Sequence, residues 1–244
     1  MSGAGESLLP PSDAAAHVVV DDLESVVLTD DAHHHLVRVR RLRAGTSCTA
    51  TDGAGSWRRC ALTARGLEPS GEIVRVPAPT PPVTIAFALT KGDKPETVIQ
   101  KLTELGVDRI VPFRADHSVV RWDHDKAVAQ HARWVVIARS AVEQSRRVRL
   151  PAIDPIADVD SVVGLGAARL DRGGPPPSLA RNVLAVGPEG GWSADERDRL
   201  PSVVGIGENV LRAETAALTA GGILCALRSG TVRERPDFST ERGK

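Results

Sequence analysis

The chain has 244 residues, 41% of them hydrophobic and 25% charged, with Lys+Arg and Asp+Glu balanced at 31 each. That length holds one large domain or a small one joined to a medium one, and zero net charge excludes a body coated in positive charge that grips nucleic acid indiscriminately. No apolar run is long enough to cross a bilayer, Met1 to Ala16 lacks the basic start and apolar stretch of a secretory leader, and three cysteines without close pairing (Cys48, Cys60, Cys225) argue against a disulfide framework or a zinc site, so the expected home is the reducing cytoplasm.

The first segment, to about Val76, reads as short strands. Val18 to Val20 and Ser25 to Leu28 are β-type runs, and Ser47 to Thr51 leads into the hairpin signal Asp52-Gly53. Trp57 to Leu62 returns and Glu72 to Val76 closes the segment, a spacing that predicts a small β-barrel. Charge is unevenly placed here: residues 1–31 carry acids and no Lys or Arg, whereas Arg38, Arg40, Arg41, Arg43, Arg58, Arg59 and Arg65 follow against a lone Asp52. With a second basic cluster at Arg146, Arg147 and Arg149, local patches on a neutral body suit a selective RNA binder, although composition alone favours solvated faces of strands and helices. Four Trp, three Phe and no Tyr leave few rings for stacking bases, so RNA contact would rest on backbone, shape and one pocketed base.

Pro77 to Pro82, four prolines in six residues, predicts a stiff linker and a domain boundary. Beyond it strands and helices alternate. Val83 to Leu89 is a buried-type strand and Thr90 to Lys94 a polar loop. A helix opens at Pro95, repeats Val98, Leu102 and Leu105, and stops at Gly106. Val107 to Phe113 is a strand, and a helix from about Asp125 to Ser145 carries Val128, Ala132, Val135 and Val142. Val183 to Val186 is a strand, Ser193 to Glu196 a capping box, Val203 to Ile206 a strand, and a last helix runs from about Glu214 to Ser229 before Gly230. This alternation predicts an α/β domain whose largely parallel sheet is covered on both faces.

Two loops carry the candidate chemistry. Val183 to Val186 opens directly into Gly187-Pro188-Glu189-Gly190-Gly191, a turn with little side-chain bulk at a strand's carboxyl end, where open α/β sheets place ligands. A plain tight turn is the bland reading. No Gly-Lys-Ser/Thr follows and the Gly-x-Gly-x-x-Gly spacing is absent, so neither a phosphate loop nor a dinucleotide fingerprint is present. The second loop, Gly205 to Ala216, holds apolar Val210 and Leu211 where polar residues are the rule, with Arg212 and Glu214 at the mouth of a helix. It reads either as a slot for an adenine ring or as loop packing with a surface ion pair. His33-His34-His35 invites a metal reading, but no second His or Cys cluster stands at ligand spacing, so no metal is expected.

Taken together, Gly187-Pro-Glu-Gly-Gly and Ile206-Gly-Glu-Asn-Val-Leu-Arg-Ala-Glu-Thr-Ala resemble the paired signature of the 16S ribosomal RNA uridine N3-methyltransferases (RsmE type) of the SPOUT superfamily. So do His34-His35-Leu36 with Val39-Arg40-Arg41-Leu42-Arg43 and Gly45, Lys94 with Ile99-Gln100-Lys101 through Val107, and Glu143-Gln144-Ser145-Arg146-Arg147 with Pro151. The resemblance covers nearly the whole chain in order. It implies a PUA-like RNA-binding β-barrel over residues 1–76, the linker over 77–82, and a SPOUT α/β methyltransferase domain with a trefoil knot over 83–244. It also implies S-adenosyl-L-methionine as donor, 16S rRNA as substrate within the small ribosomal subunit, and a homodimer. The donor would lie against Gly187, Pro188, Glu189, Gly190, Gly191, Ile206, Gly207, Val210, Leu211 and Ala216. Arg212 would hold negative charge on the uracil, with Glu214 or Glu143 orienting it or taking the proton. Gln144, Arg147, His34, His35, Arg40 and Arg43 would meet the RNA. Two stretches depart from the family pattern: residues 1–16 lack its aromatic-rich first strand, and Arg169 to Pro175 stand where a Leu-His element precedes the Gly-Pro-Glu-Gly-Gly turn. A different RNA target and a non-catalytic ribosome-assembly protein are the competing functions.

Overall fold

The computed structural model describes residues 8–234. Within them the chain forms two compact units, one of residues 8–78 and 132–152, the other of residues 79–131 and 153–234. The first passage between them falls at Ala78–Pro79, inside the proline-rich stretch.

The first unit holds β1 (Ala16–Val19), β2 (Ser47–Thr51), β3 (Ser56–Thr63), β4 (Gly66–Pro69) and β5 (Val74–Arg75). β1 runs parallel to β2; β2 and β3, β3 and β4, and β3 and β5 are antiparallel. The register puts Ala16 beside Cys48 and Cys48 beside Cys60. Side chains alternate along a strand, so Ala16, Val18, Cys48, Ala50, Cys60 and Leu62 share one face and form the core with Leu23, Leu36 and Leu67. The predicted turn joins β2 to β3: Asp52 Oδ1 accepts from the amides of Ala54 and Ser56.

Ser25 to Leu28, read as a strand, pairs with nothing in the ladders. Val26 and Leu28 instead pack part-buried on the core as irregular chain. Helix formation just beyond competes with the ladder: Thr29 accepts from the Ala32 amide and caps α1 (Asp30–His34), whose first turn carries Asp30 and Asp31. A π-type turn continues over His35–Val39. The remaining helices are α2 (Lys94–Leu105), α3 (His124–Ser145), α4 (Val159–Gly164), α5 (Ala194–Arg199) and α6 (Ala213–Arg228). The buried stripe of α3 is Trp134, Ala138, Ala141 and Val142. Val128 and Val135, expected on that stripe, are exposed. The helix is set by one large ring and two alanines, which a search for branched apolar residues passes over.

The second unit carries β6 (Thr84–Ala88), β7 (Arg109–Phe113), β9 (Ala168–Leu170), β10 (Val183–Val186) and β11 (Val203–Val204), with β8 (Ala152–Ile153) at the sheet edge; the order is β11-β9-β10-β6-β7-β8. The β6–β7, β6–β10, β9–β10 and β9–β11 pairs are all parallel, as the strand-helix alternation requires. On one face Ala86, Ala88, Val111, Phe113 and Ala185 pack with Val159, Val162, Trp192 and Leu200. On the other, α6 lies close: a Cβ at Gly221 would fall 2.6 Å from Leu102 and 3.6 Å from Ile85. Among the described residues no helix is long and apolar enough to cross a membrane.

Candidate active site

β9, β10 and β11 sit side by side, and all three open at their carboxyl ends onto one cleft of about 410 Å³, the size of a small-molecule site. Leu170, Asp171 and Arg172 form one wall, the turn after β10 a second, and the loop from Ile206 to Arg212 a third. Two close backbone approaches shape it. Gly187 passes over Trp192, and a Cβ there would stand 2.8 Å from the indole. That ring is buried, stacked on Phe113 at 6.0 Å, and its Nε1 donates to the Leu170 carbonyl at 3.1 Å. At Gly205 a Cβ would meet the Gly174 carbonyl oxygen at 2.5 Å, where the Gly205 amide donates to Pro175 at 2.8 Å. Only glycine permits main chains so near each other.

The predicted donor residues Gly187, Pro188, Glu189, Gly191, Ile206, Gly207, Val210, Leu211 and Ala216 line this cleft together with Arg212. Gly190 turns aside: its carbonyl and that of Gly191 accept from His117 Nδ1 at 3.2 and 3.0 Å. Val210 is 78% exposed and Leu211 36%. Apolar side chains left open at a cleft lip are the chemistry a flat aromatic ligand would cover. Arg212 is the N-cap residue of α6 and exposed, with no ion pair among the described residues. Trp192, Leu170, Asp171 and Arg172 escaped the sequence reading as site residues. A three-residue strand such as β9 leaves too little pattern to show that the Arg169 to Pro175 departure supplies a wall.

Glu214 does not line the cleft. Its Oε2 lies 3.6 Å from Lys94 Nζ, which also donates to Glu189 Oε1 at 3.0 Å. The carboxylates raise the Lys94 pKa above its ordinary value, the Glu189 hydrogen bond most strongly. Burial works to raise the Glu189 carboxyl, but Lys94, a backbone amide and Lys91 outweigh it and hold it below the usual range. Behind the turn, Ser193 and Glu196 form the expected capping box, and buried Glu196 also accepts from the Asp116 amide at 2.9 Å.

The other predicted residues belong to the first unit. Glu143 accepts from the Val19 amide at 3.1 Å, and Gln144 is exposed. The Arg147 carbonyl accepts from His17 Nε2 at 2.8 Å. His34, His35, Arg40 and Arg43 are exposed on and after α1, and Arg40 also donates to the Ala15 carbonyl. Two members of the second basic cluster are engaged internally: Arg146 with the Pro11 and Ala14 carbonyls, Arg149 with those of Ala54 and Val76.

An RNA methyltransferase domain model matches residues 77–225, and an RNA methyltransferase PUA domain model matches residues 28–67. The ribosomal RNA small subunit methyltransferase E of Mycobacterium tuberculosis is 33% identical over 233 residues, covering 85% of this chain and 89% of the relative. That of Bacillus subtilis is 30% identical over 232 residues, covering 82% and 90%. Among solved structures, the Neisseria gonorrhoeae methyltransferase E bound to S-adenosyl methionine aligns with a TM-score of 0.73 and 26% identity, covering 87% of this chain and 97% of that one. A Legionella pneumophila methyltransferase in complex with the cofactor SAM gives 0.75 and 25%, covering 86% and 96%.

Proposed function

The chain belongs to the ribosomal RNA small subunit methyltransferase E family, and from that premise we propose that it transfers a methyl group from S-adenosylmethionine to N3 of a uridine in 16S rRNA. The observation that carries this reading is the cleft at three adjacent strand ends, with an open apolar lip at Val210 and Leu211 beside exposed Arg212, which has no ion pair among the described residues.

The residues present fit the donor. Gly191 leaves room for a flat ring against the main chain, Val210 and Leu211 cover it, and Leu170 to Arg172 close the third side. When bound, the donor supplies a methyl group on a positively charged sulfur, reactive without metal or phosphate chemistry. The chain's work is therefore positioning and charge. Uridine N3 attacks only after losing its proton, which leaves negative charge on the flanking carbonyl oxygens. Arg212 is the residue to hold that charge: its planar fork can meet a carbonyl oxygen and a phosphate in fixed geometry. Glu214 or Glu143 orients it or takes the proton. Gln144, Arg147, His34, His35, Arg40 and Arg43 hold the RNA. The same reading includes a PUA-like barrel in the first unit, a trefoil knot in the second, a homodimer, the assembled small subunit as substrate, and a cytoplasmic home.

Methylation at N3 blocks the pairing edge. Reverse transcription of 16S rRNA should stop one nucleotide short of the target in cells carrying the gene and read through in its absence; read-through in both ends this proposal. Replacing Arg212 with Ala should lower turnover on the order of 10²-fold or more while donor affinity stays within a few-fold. Turnover equal to the wild type would remove Arg212 from the chemistry.

A further inference from the structure

Lys94 opens α2 beyond β6, Glu189 lies in the turn after β10, and Glu214 lies in the first turn of α6 beyond β11. One ammonium group thus joins elements that follow three different strands, at 3.0 Å to Glu189 and 3.6 Å to Glu214. Glu214 Oε2 is shielded from solvent and accepts no hydrogen bond. A carboxylate oxygen in that state is costly unless a charge faces it, and Lys94 is the charge that does.

We propose that Lys94 is a positioning residue, a clasp that fixes the turn after β10 against the start of α6, and that Glu214 belongs to the clasp instead of accepting the uridine proton. The inference rests on the donor-binding reading above and narrows it. Arg212 caps α6 two residues before Glu214, so anchoring Glu214 fixes both the end of the Val210–Leu211 lip and the root of the Arg212 side chain. A proton acceptor must reach the proton it takes. Glu214 is absent from the cleft lining and already faces an ammonium group. The clasp need not contribute much to global stability, since a partly exposed ion pair adds little. Its effect is on the separation of the cleft walls, to which donor affinity is sensitive.

The test is a double-mutant cycle on Lys94→Met and Glu214→Gln, with Lys94→Arg and Glu189→Gln as milder variants. Donor affinity is read by titration calorimetry with S-adenosylmethionine, the ligand-free thermal midpoint separately, and turnover against pH on RNA. Each single change should weaken donor binding by roughly 10-fold, and the double change no more than Lys94→Met alone, because without the ammonium group Glu214 has no link left to lose. Lys94→Arg should restore most of the loss, and the pH profile of Glu214→Gln should keep the wild-type shape. Additive losses overturn the clasp. So does a Glu214→Gln protein that binds donor normally but loses turnover with a flattened pH profile, which would make Glu214 the base. If the wild type itself binds no donor, the proposed function fails; the clasp is then judged on the ligand-free midpoints, where additivity of the two changes rejects it.

Discussion

Two side chains bordering the cleft, Val210 and the missing one at Gly187, separate binding from folding. Val210 is 78% exposed, so Val210→Asp removes no core packing and should leave the thermal midpoint within about 1–2 °C. The same change puts a carboxylate where a flat ring would lie, and donor affinity should fall on the order of 10-fold by calorimetry. A midpoint that drops with affinity would mean the lip packs within the fold and is not a ligand surface. Gly187→Ala tests the opposite case. Its Cβ would stand 2.8 Å from an indole held by Phe113 stacking and by a hydrogen bond to Leu170, so the ring has no easy retreat. Overpacking of this kind costs about 1–3 kcal/mol, and both stability and donor affinity should fall. Unchanged chemical denaturation would show that Trp192 does not brace the turn.

At the scale of elements, residues 132–152 build part of the first unit. Arg139 donates to the Val19 carbonyl and Glu143 accepts from its amide, so α3 brackets one residue of β1 from both sides. Buried His17 on the same strand joins Thr49 Oγ1 and the Arg147 carbonyl, each at 2.8 Å. Burial outweighs the Arg147 hydrogen bond, Arg146 adds repulsion, and the His17 pKa falls to about 4 from 6.5. A pKa lower in the folded state means the unfolded chain binds the proton more tightly. His17 therefore contributes stability in full above pH 6.5, and loses it as pH falls from 6.5 towards 4, by about 3 kcal/mol across the window. Urea denaturation at pH 7.5 and 4.5 should show the loss, and His17→Gln should flatten it; equal pH dependence in the two proteins would assign the effect elsewhere. None of this was legible in the sequence, because a histidine among valines gives no sign of a partner 130 residues away. What was legible follows local rules. Short β-type runs and the Asp52-Gly53 turn signal marked β1, β2 and β3, the capping box marked α5, and two glycine-bearing loops marked the cleft. What escaped depended on distant packing: the irregular Ser25 to Leu28 run in place of a strand, the true buried stripe of α3, and the wall supplied by three-residue β9.

For the molecule as a whole, zero net charge means that any grip on RNA must be local. The arginines divide by what they already hold. Arg38, Arg41 and Arg43 are exposed with no ion pair among the described residues, whereas Arg146 and Arg149 each bind two main-chain carbonyls of the first unit. An arginine already held by two carbonyls has fewer donors free to turn to phosphate, and removing it strands those carbonyls. The two groups should therefore respond oppositely. Arg41→Ala and Arg43→Ala should leave the thermal midpoint unchanged and weaken RNA binding, each lowering the slope of log affinity against log salt by about 0.7–0.9. Arg149→Ala should lower the midpoint and leave the slope of the folded protein near that of the wild type. Fluorescence anisotropy with a 16S rRNA fragment over a salt series distinguishes them. If Arg149→Ala reduced the slope and Arg43→Ala did not, the RNA face would lie along residues 146–149, and α1 with the chain after it would be a solvated surface without a phosphate to meet.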